Sequence, residues 1–192
     1  MKEKTNYLLA ILLFVGISCK SQIVPLEEYI NYRTNETEIP EGTYIKDINN
    51  LLNKFEGTWI GEYNNLSYEI IITQETVSFL NIQKDRLLMR FRITTLSGEV
   101  IEDTTGLSND SYSLIRGDYL NQYGTTYILN YYGSDTYCFQ DGNIFINSLG
   151  LNNNQMTLFL YPGLDSFNQL CESSNNPPVQ LFPMEKMTLL KQ

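Results

Sequence analysis

Side chains able to do covalent or acid–base chemistry are few in this sequence. No histidine occurs among its 192 residues, which removes the residue most used for proton transfer near neutral pH and the commonest metal ligand. Triads and zinc sites that depend on histidine are excluded. Absent too are a Gly-x-Ser-x-Gly elbow, a Ser-x-x-Lys pair, a phosphate loop with its lysine, and a calcium loop of alternating Asp and Asn. Carboxylates stand as neighbours at Glu27-Glu28 and Glu102-Asp103, but adjacent residues of a strand point to opposite faces and cannot act on one bond. A glycosidase needs two acids facing each other about 5 to 9.5 Å apart, and only distant pairs could supply them. The expectation is a protein that is not an enzyme, with no catalytic residue, no metal and no cofactor.

What remains is sulfur and aromatic hydroxyl. Three cysteines occur, Cys19, Cys138 and Cys171, and seven tyrosines fall between Tyr112 and Tyr137, followed by Phe139 and Phe145. Aromatic walls with hydroxyl tips suit an apolar or sugar-like ligand. Tyr127, Leu129 and Tyr131 share one face of a strand and are the first candidates for such a wall. The same composition also fits a half-buried pleated surface that binds nothing. The Gly-, Ser-, Asn- and Pro-rich stretch 162–178 is too long for a hairpin turn and reads as a lid over a barrel mouth or a surface excursion.

At the start of the chain, Lys2 and Lys4 precede an apolar run from Tyr7 to Ile17 that ends in Gly16-Ile17-Ser18-Cys19, the layout of an export signal. A helix over that run would measure about 16 Å, against a hydrocarbon core of about 30 Å, so it is no membrane span. A small residue directly before cysteine, with Lys20, Ser21 and Gln22 next, resembles a bacterial lipoprotein signal of the Bacteroidetes type. That resemblance implies a diacylglycerol on the Cys19 sulfur, cleavage before it, and a membrane anchor at Cys19; an ordinary secretory signal is the alternative. With Cys19 assigned to lipid, Cys138 and Cys171 are left as one pair. An oxidising envelope would let them join, contributing about 3 to 4 kcal/mol by chain entropy, unless both stay as buried thiols.

The elements that must position these groups divide the chain into a signal peptide (1–18), a lipid anchor and tether (19–46) and a β-barrel domain (47–192). Asp47 reads as the N-cap of the one clear helix, with Ile48, Leu51, Leu52 and Phe55 at helical spacing and Gly57 as the stop. Leu26, Tyr29 and Ile30 are spaced for a short docking turn. After Gly57 the apolar period becomes 2. Strands are expected at Thr58–Tyr63, Leu66–Gln74, Val77–Ile82, Leu87–Thr95, Val100–Thr104, Ser113–Tyr119, Thr126–Tyr132, Asn143–Leu149, Gln155–Tyr161 and Lys186–Leu190. Turns are expected at Asn64-Asn65, Ser97-Gly98, Gly133-Ser134, Asp141-Gly142 and Asn152–Asn154.

A short helix leading into Gly57-Thr58-Trp59 and Ile60-Gly61-Glu62-Tyr63 is similar to the opening of the calycins, the lipocalins and their relatives. The resemblance implies an all-β, antiparallel up-and-down barrel of about eight to ten strands, with the helix closing one end and the tryptophan in its floor. Lipocalins stack an arginine on that tryptophan; here Lys186 and Lys191 are the bases available. A membrane-spanning barrel is disfavoured, since its strands need about 9 to 11 residues and most of these are shorter. From Ser18-Cys19-Lys20 through Ile101-Glu102-Asp103-Thr104-Thr105, the chain looks like small uncharacterised Bacteroidetes lipoproteins. Asp103-Thr104-Thr105 is also similar to an O-glycan acceptor of that group.

Net charge is −9, and −10 once Lys2, Glu3 and Lys4 are removed. Nucleic acid is therefore no partner, because its phosphates are repelled. Two functions fit: a lipid-anchored binder of a small apolar or sugar-like ligand, or a structural and interaction lipoprotein whose filled barrel meets a cationic envelope protein. Both sit at the cell envelope, on the outer membrane and facing the periplasm. Interior volume separates them.

Overall fold

The computed structural model describes residues 22–133, 141–150, 152–163 and 181–192. Cys19, Cys138 and Cys171, the signal segment and most of 162–178 lie outside the described residues. The elements in chain order are β1 (Ile23–Pro25), a 3-10 turn at Leu26–Glu28, α1 (Tyr29–Thr34), β2 (Tyr44–Lys46), β3 (Gly57–Tyr63), β4 (Leu66–Phe79) and β5 (Ile82–Thr95). There follow β6 (Val100–Asp103), β7 (Ile115–Leu120), β8 (Thr126–Tyr132), β9 (Asp141–Leu149), β10 (Gln155–Pro162) and β11 (Met187–Lys191).

Strands β3, β4, β5, β7, β8, β9, β10 and β11 pair antiparallel in that order, and β11 returns to β3, closing an up-and-down barrel of eight strands. The expected architecture is therefore present. Period-2 alternation explains it: on β5, Leu87, Met89, Phe91 and Ile93 are fully buried, whereas Arg90 and Arg92 face outward. Closure leaves no edge on the barrel itself. β6 is a side branch on the upper part of β5, and β1 and β2 extend the lower part as parallel additions.

Several boundaries differ from the sequence expectation. The two strands expected at Leu66–Gln74 and Val77–Ile82 are one, because the chain reverses at Leu80-Asn81, where both residues take left-handed φ of 46° and 62°. Leucine is a rare choice for that conformation, so the turn carried no sequence signal. Asp141-Gly142, expected as a turn, lies inside β9. A Cβ on Gly142 would sit 2.2 Å from the Tyr161 carbonyl oxygen, so the glycine allows β10 to approach.

The helix expected from Asp47 to Phe55 is absent, and those residues form turns. Both Asp47 carboxylate oxygens are used as caps, but they accept the N–H groups of Leu51 and Leu52 at 2.8 and 2.9 Å, too far along the chain for a helix start. Asn50 at φ 54° breaks the helical run. Tertiary demand wins here, since Leu52 and Phe55 are drawn into the barrel floor and are fully buried. The only helix among the described residues is α1, beside the expected docking turn. Within the stretch expected as a tether, Ile23–Pro25 and Tyr44–Lys46 instead pair with the sheet, and Val24, Leu26 and Ile45 are buried.

Candidate functional site

A closed eight-stranded barrel either leaves room for a ligand or fills its lumen with side chains. Tyr127, Leu129 and Tyr131 do share one face of β8 and point inward, but no part of them is open to solvent beyond 1%. Tyr127 lies against Phe55 with ring centroids 6.1 Å apart, and its hydroxyl accepts the Leu87 N–H at 3.4 Å. Gly117 on β7 makes room for that ring: a Cβ there would meet the Tyr127 hydroxyl at 2.5 Å and the Leu87 nitrogen at 2.9 Å. Burial pushes the Tyr127 and Tyr131 phenols far up, so both stay neutral.

The mouth, where β8, β9, β10 and β11 meet the long connections, is stoppered by Phe182. Its ring stands edge-on to Phe91 and to Tyr131, both at 5.0 Å, and 6.3 Å from Tyr68. Such tilted pairs add about 0.5 to 1.5 kcal/mol each beyond the area they bury. The Tyr68 hydroxyl donates to the Leu181 carbonyl at 2.9 Å, tying the stopper to β4, and burial raises its pKa to about 12. The Tyr131 hydroxyl is buried and has no hydrogen-bond partner among the described residues.

At the opposite end the floor is closed by Trp59, Phe55, Leu52 and Leu26, all fully buried. The Trp59 indole N–H donates to the Phe55 carbonyl at 2.8 Å, and the Lys191 ammonium lies 5.2 Å from the indole centroid. The Lys191 ammonium thus lies over the indole face as a cation–π partner. A polar clamp fixes this floor. The Asp85 carboxylate accepts bonds from the Tyr44 and Thr76 hydroxyls at 2.8 and 2.7 Å and from the Asp47 N–H at 3.0 Å. Every oxygen of this acid pair is thereby occupied with structural bonds, and the two carboxylates do not flank an opening.

On the outer wall, Asp118 joins Arg33 at 3.0 Å and Lys84 at 3.5 Å, and the Lys84 ammonium lies 4.0 Å above the Tyr29 ring. Burial outweighs Asp118 and lowers the Lys84 pKa to about 8. This cluster fastens α1 to β5 and β7. Clefts of about 240 to 440 Å³ open on the surface, and Tyr127, Leu129 and Tyr131 line none of these. One of about 260 Å³ lies at the mouth between Tyr63, Leu66, Pro183 and Glu185. Among the described residues no group of three or more acids or cysteines is arranged to hold a metal, and no helix is long and apolar enough to cross a membrane.

The O-glycan resemblance meets an obstacle at Thr104. Its hydroxyl is buried and donates to the Phe91 carbonyl at 3.0 Å while accepting the Phe91 N–H at 2.8 Å. Sequence reasoning missed Phe182, Tyr68 and Gly117 as lumen-shaping residues. Only Gly117, a glycine inside a strand, carried a visible signal.

The closed meander and its side-chain-filled lumen define an antiparallel up-and-down barrel of eight strands. The chain belongs to DUF6705, a family of unknown function whose profile matches residues 1–192. Comparison with curated proteins and with solved structures found no match to either.

Proposed function

We propose that the protein is an exported lipoprotein, anchored in the outer membrane through acylated Cys19, whose solid barrel serves as an interaction module and not as a carrier or an enzyme. The observation that supports this choice is the lumen: Tyr127, Leu129, Tyr131, Phe91 and Phe182 occupy the volume that a small ligand would need. A net charge of −10 on the chain from Cys19 onward favours a cationic partner in the envelope, such as a lytic enzyme, facing the periplasm. The pair Cys138 and Cys171 would be bridged in that oxidising space.

Native mass spectrometry of protein isolated from its own envelope tests the reading. The expected mass is that of a chain beginning at Cys19 with a glyceride and acyl groups, two fewer hydrogens for the bridge, and no further small molecule. A stoichiometric apolar or sugar-like companion would overturn the solid-lumen reading. A chain starting elsewhere, or without the glyceride, would overturn the anchor.

A further inference from the structure

The β4–β5 hairpin projects past the barrel floor and ends in two consecutive large apolar residues, Phe79 and Leu80, which are 74% and 73% exposed. Both turn chemistry and solubility argue against them there. A two-residue loop with left-handed φ favours Asn, Asp or Gly, and Leu80 takes φ 46° at an energetic cost. A local rule broken twice at one exposed spot marks a surface kept for something other than folding.

The chain enters the fold at the same place. Ile23 pairs with Tyr44, and Tyr44 pairs with Gln83, two strand spacings or about 10 Å away. Backbone bonds make this one rigid piece: Tyr44 N–H donates to Gln22, Gln83 N–H to Thr43, and Gly42 N–H to Asn81 at the tip. Ile23 is itself 55% exposed. Only three residue steps separate Cys19 from Gln22, a reach of at most about 11 Å. An anchor at Cys19 thus keeps the hairpin tip within about 30 Å of the acylated sulfur, on the side of the fold where the chain enters.

We propose that Phe79 and Leu80 insert into the headgroup boundary of the bilayer that holds Cys19, so that the barrel stands floor-down on the membrane with its mouth outward. The inference rests on the anchor reading above. Tyr123, 75% exposed on the β7–β8 turn at the same end, supplies an aromatic side chain of the kind enriched at that boundary. The acyl chains provide the affinity, and the tip, held at high local concentration, sets the orientation.

The test reconstitutes the full acylated protein into phosphatidylcholine vesicles that contain brominated phosphatidylcholine, a collisional quencher of tryptophan. Two variants are compared, Phe79→Trp at the tip and Leu96→Trp in the β5–β6 turn at the opposite end, where Leu96 is 58% exposed. Buried Trp59 is a constant background in both. Quenching of Phe79→Trp at least about twofold stronger than that of Leu96→Trp is expected for a side chain at acyl depth. Equal quenching, with the glyceride on Cys19 confirmed by mass spectrometry, overturns the docking proposal alone. Absence of the glyceride overturns the anchor reading and this proposal together.

Discussion

Replacing Phe182 by alanine is the most direct challenge to a solid lumen. The phenyl ring is fully buried, with two aromatic neighbours at 5.0 Å and a third at 6.3 Å. Those neighbours are held from behind by their own strands, so they cannot collapse far into the space left. Core Phe→Ala substitutions cost about 3 to 5 kcal/mol by lost transfer energy plus cavity formation, and the rigid surround places this one in the upper half of that range. For a domain of this size, the melting temperature should fall by about 8 to 20 °C. Urea unfolding read by fluorescence of Trp59, the single tryptophan, gives the free energy, since that indole sits buried at the far end of the barrel. The variant should also take up a benzene-sized apolar molecule with a rise in stability, as emptied apolar cavities do. A loss below about 1 kcal/mol would mean that Phe182 fills nothing, and the case for a plugged mouth would fail.

Tyr131→Phe should leave stability unchanged or raise it by about 1 kcal/mol, because the hydroxyl has no partner among the described residues; a clear fall in melting temperature would show that it has one. Gly117→Ala forces a Cβ to within 2.5 Å of the Tyr127 hydroxyl and should cost about 1 to 3 kcal/mol by urea titration, whereas a neutral result would contradict the ring's placement. Lys84 provides a pH test. Its folded pKa of about 8 lies below its ordinary value of 10.5, so the native state binds fewer protons between those limits and stability rises with pH there. The cost of about 3 kcal/mol is fully felt below pH 8 and gone above 10.5. Lys84→Met should therefore be at least as stable as the wild type at pH 7, with Asp118 still held by Arg33, and should lose the alkaline gain. A wild type and variant with parallel pH curves would refute the assignment.

The barrel was legible because its signal is purely local alternation. Leu87, Met89, Phe91 and Ile93 announce one dry face, and eight such segments with short turns leave few other ways to bury it. Asp47 misled for an instructive reason. Its capping ability and the 3.6-residue spacing of Ile48, Leu51, Leu52 and Phe55 are real, but the floor needs Leu52 and Phe55 to point into the lumen, and Ile48 stays about half exposed. The hairpin reversal was invisible because Leu80 is the wrong residue for it. Tyr127, Leu129 and Tyr131 were placed correctly on one inward face, yet whether that face borders space or other side chains depends on Phe182 and Gly117, which lie 51 and 14 positions away from Tyr131. No spacing rule connects residues across a lumen.

The way the barrel closes has a consequence for how it comes together. β5 meets β7 through only the pairs Leu88–Arg116 and Met89–Ile115, and β11 meets β3 through Leu190–Ile60 and Lys191–Trp59. Every other neighbouring pair in the wall joins strands that follow one another in the chain, by short turns except between β8 and β9 and between β10 and β11. The molecule is thus a clamshell of two meanders, β3 to β5 and β7 to β11, latched along two narrow seams. Each shell can assemble from nearby segments alone, and shutting the latches, which trap the aromatic stopper and the tryptophan floor together, falls to the final stage of folding.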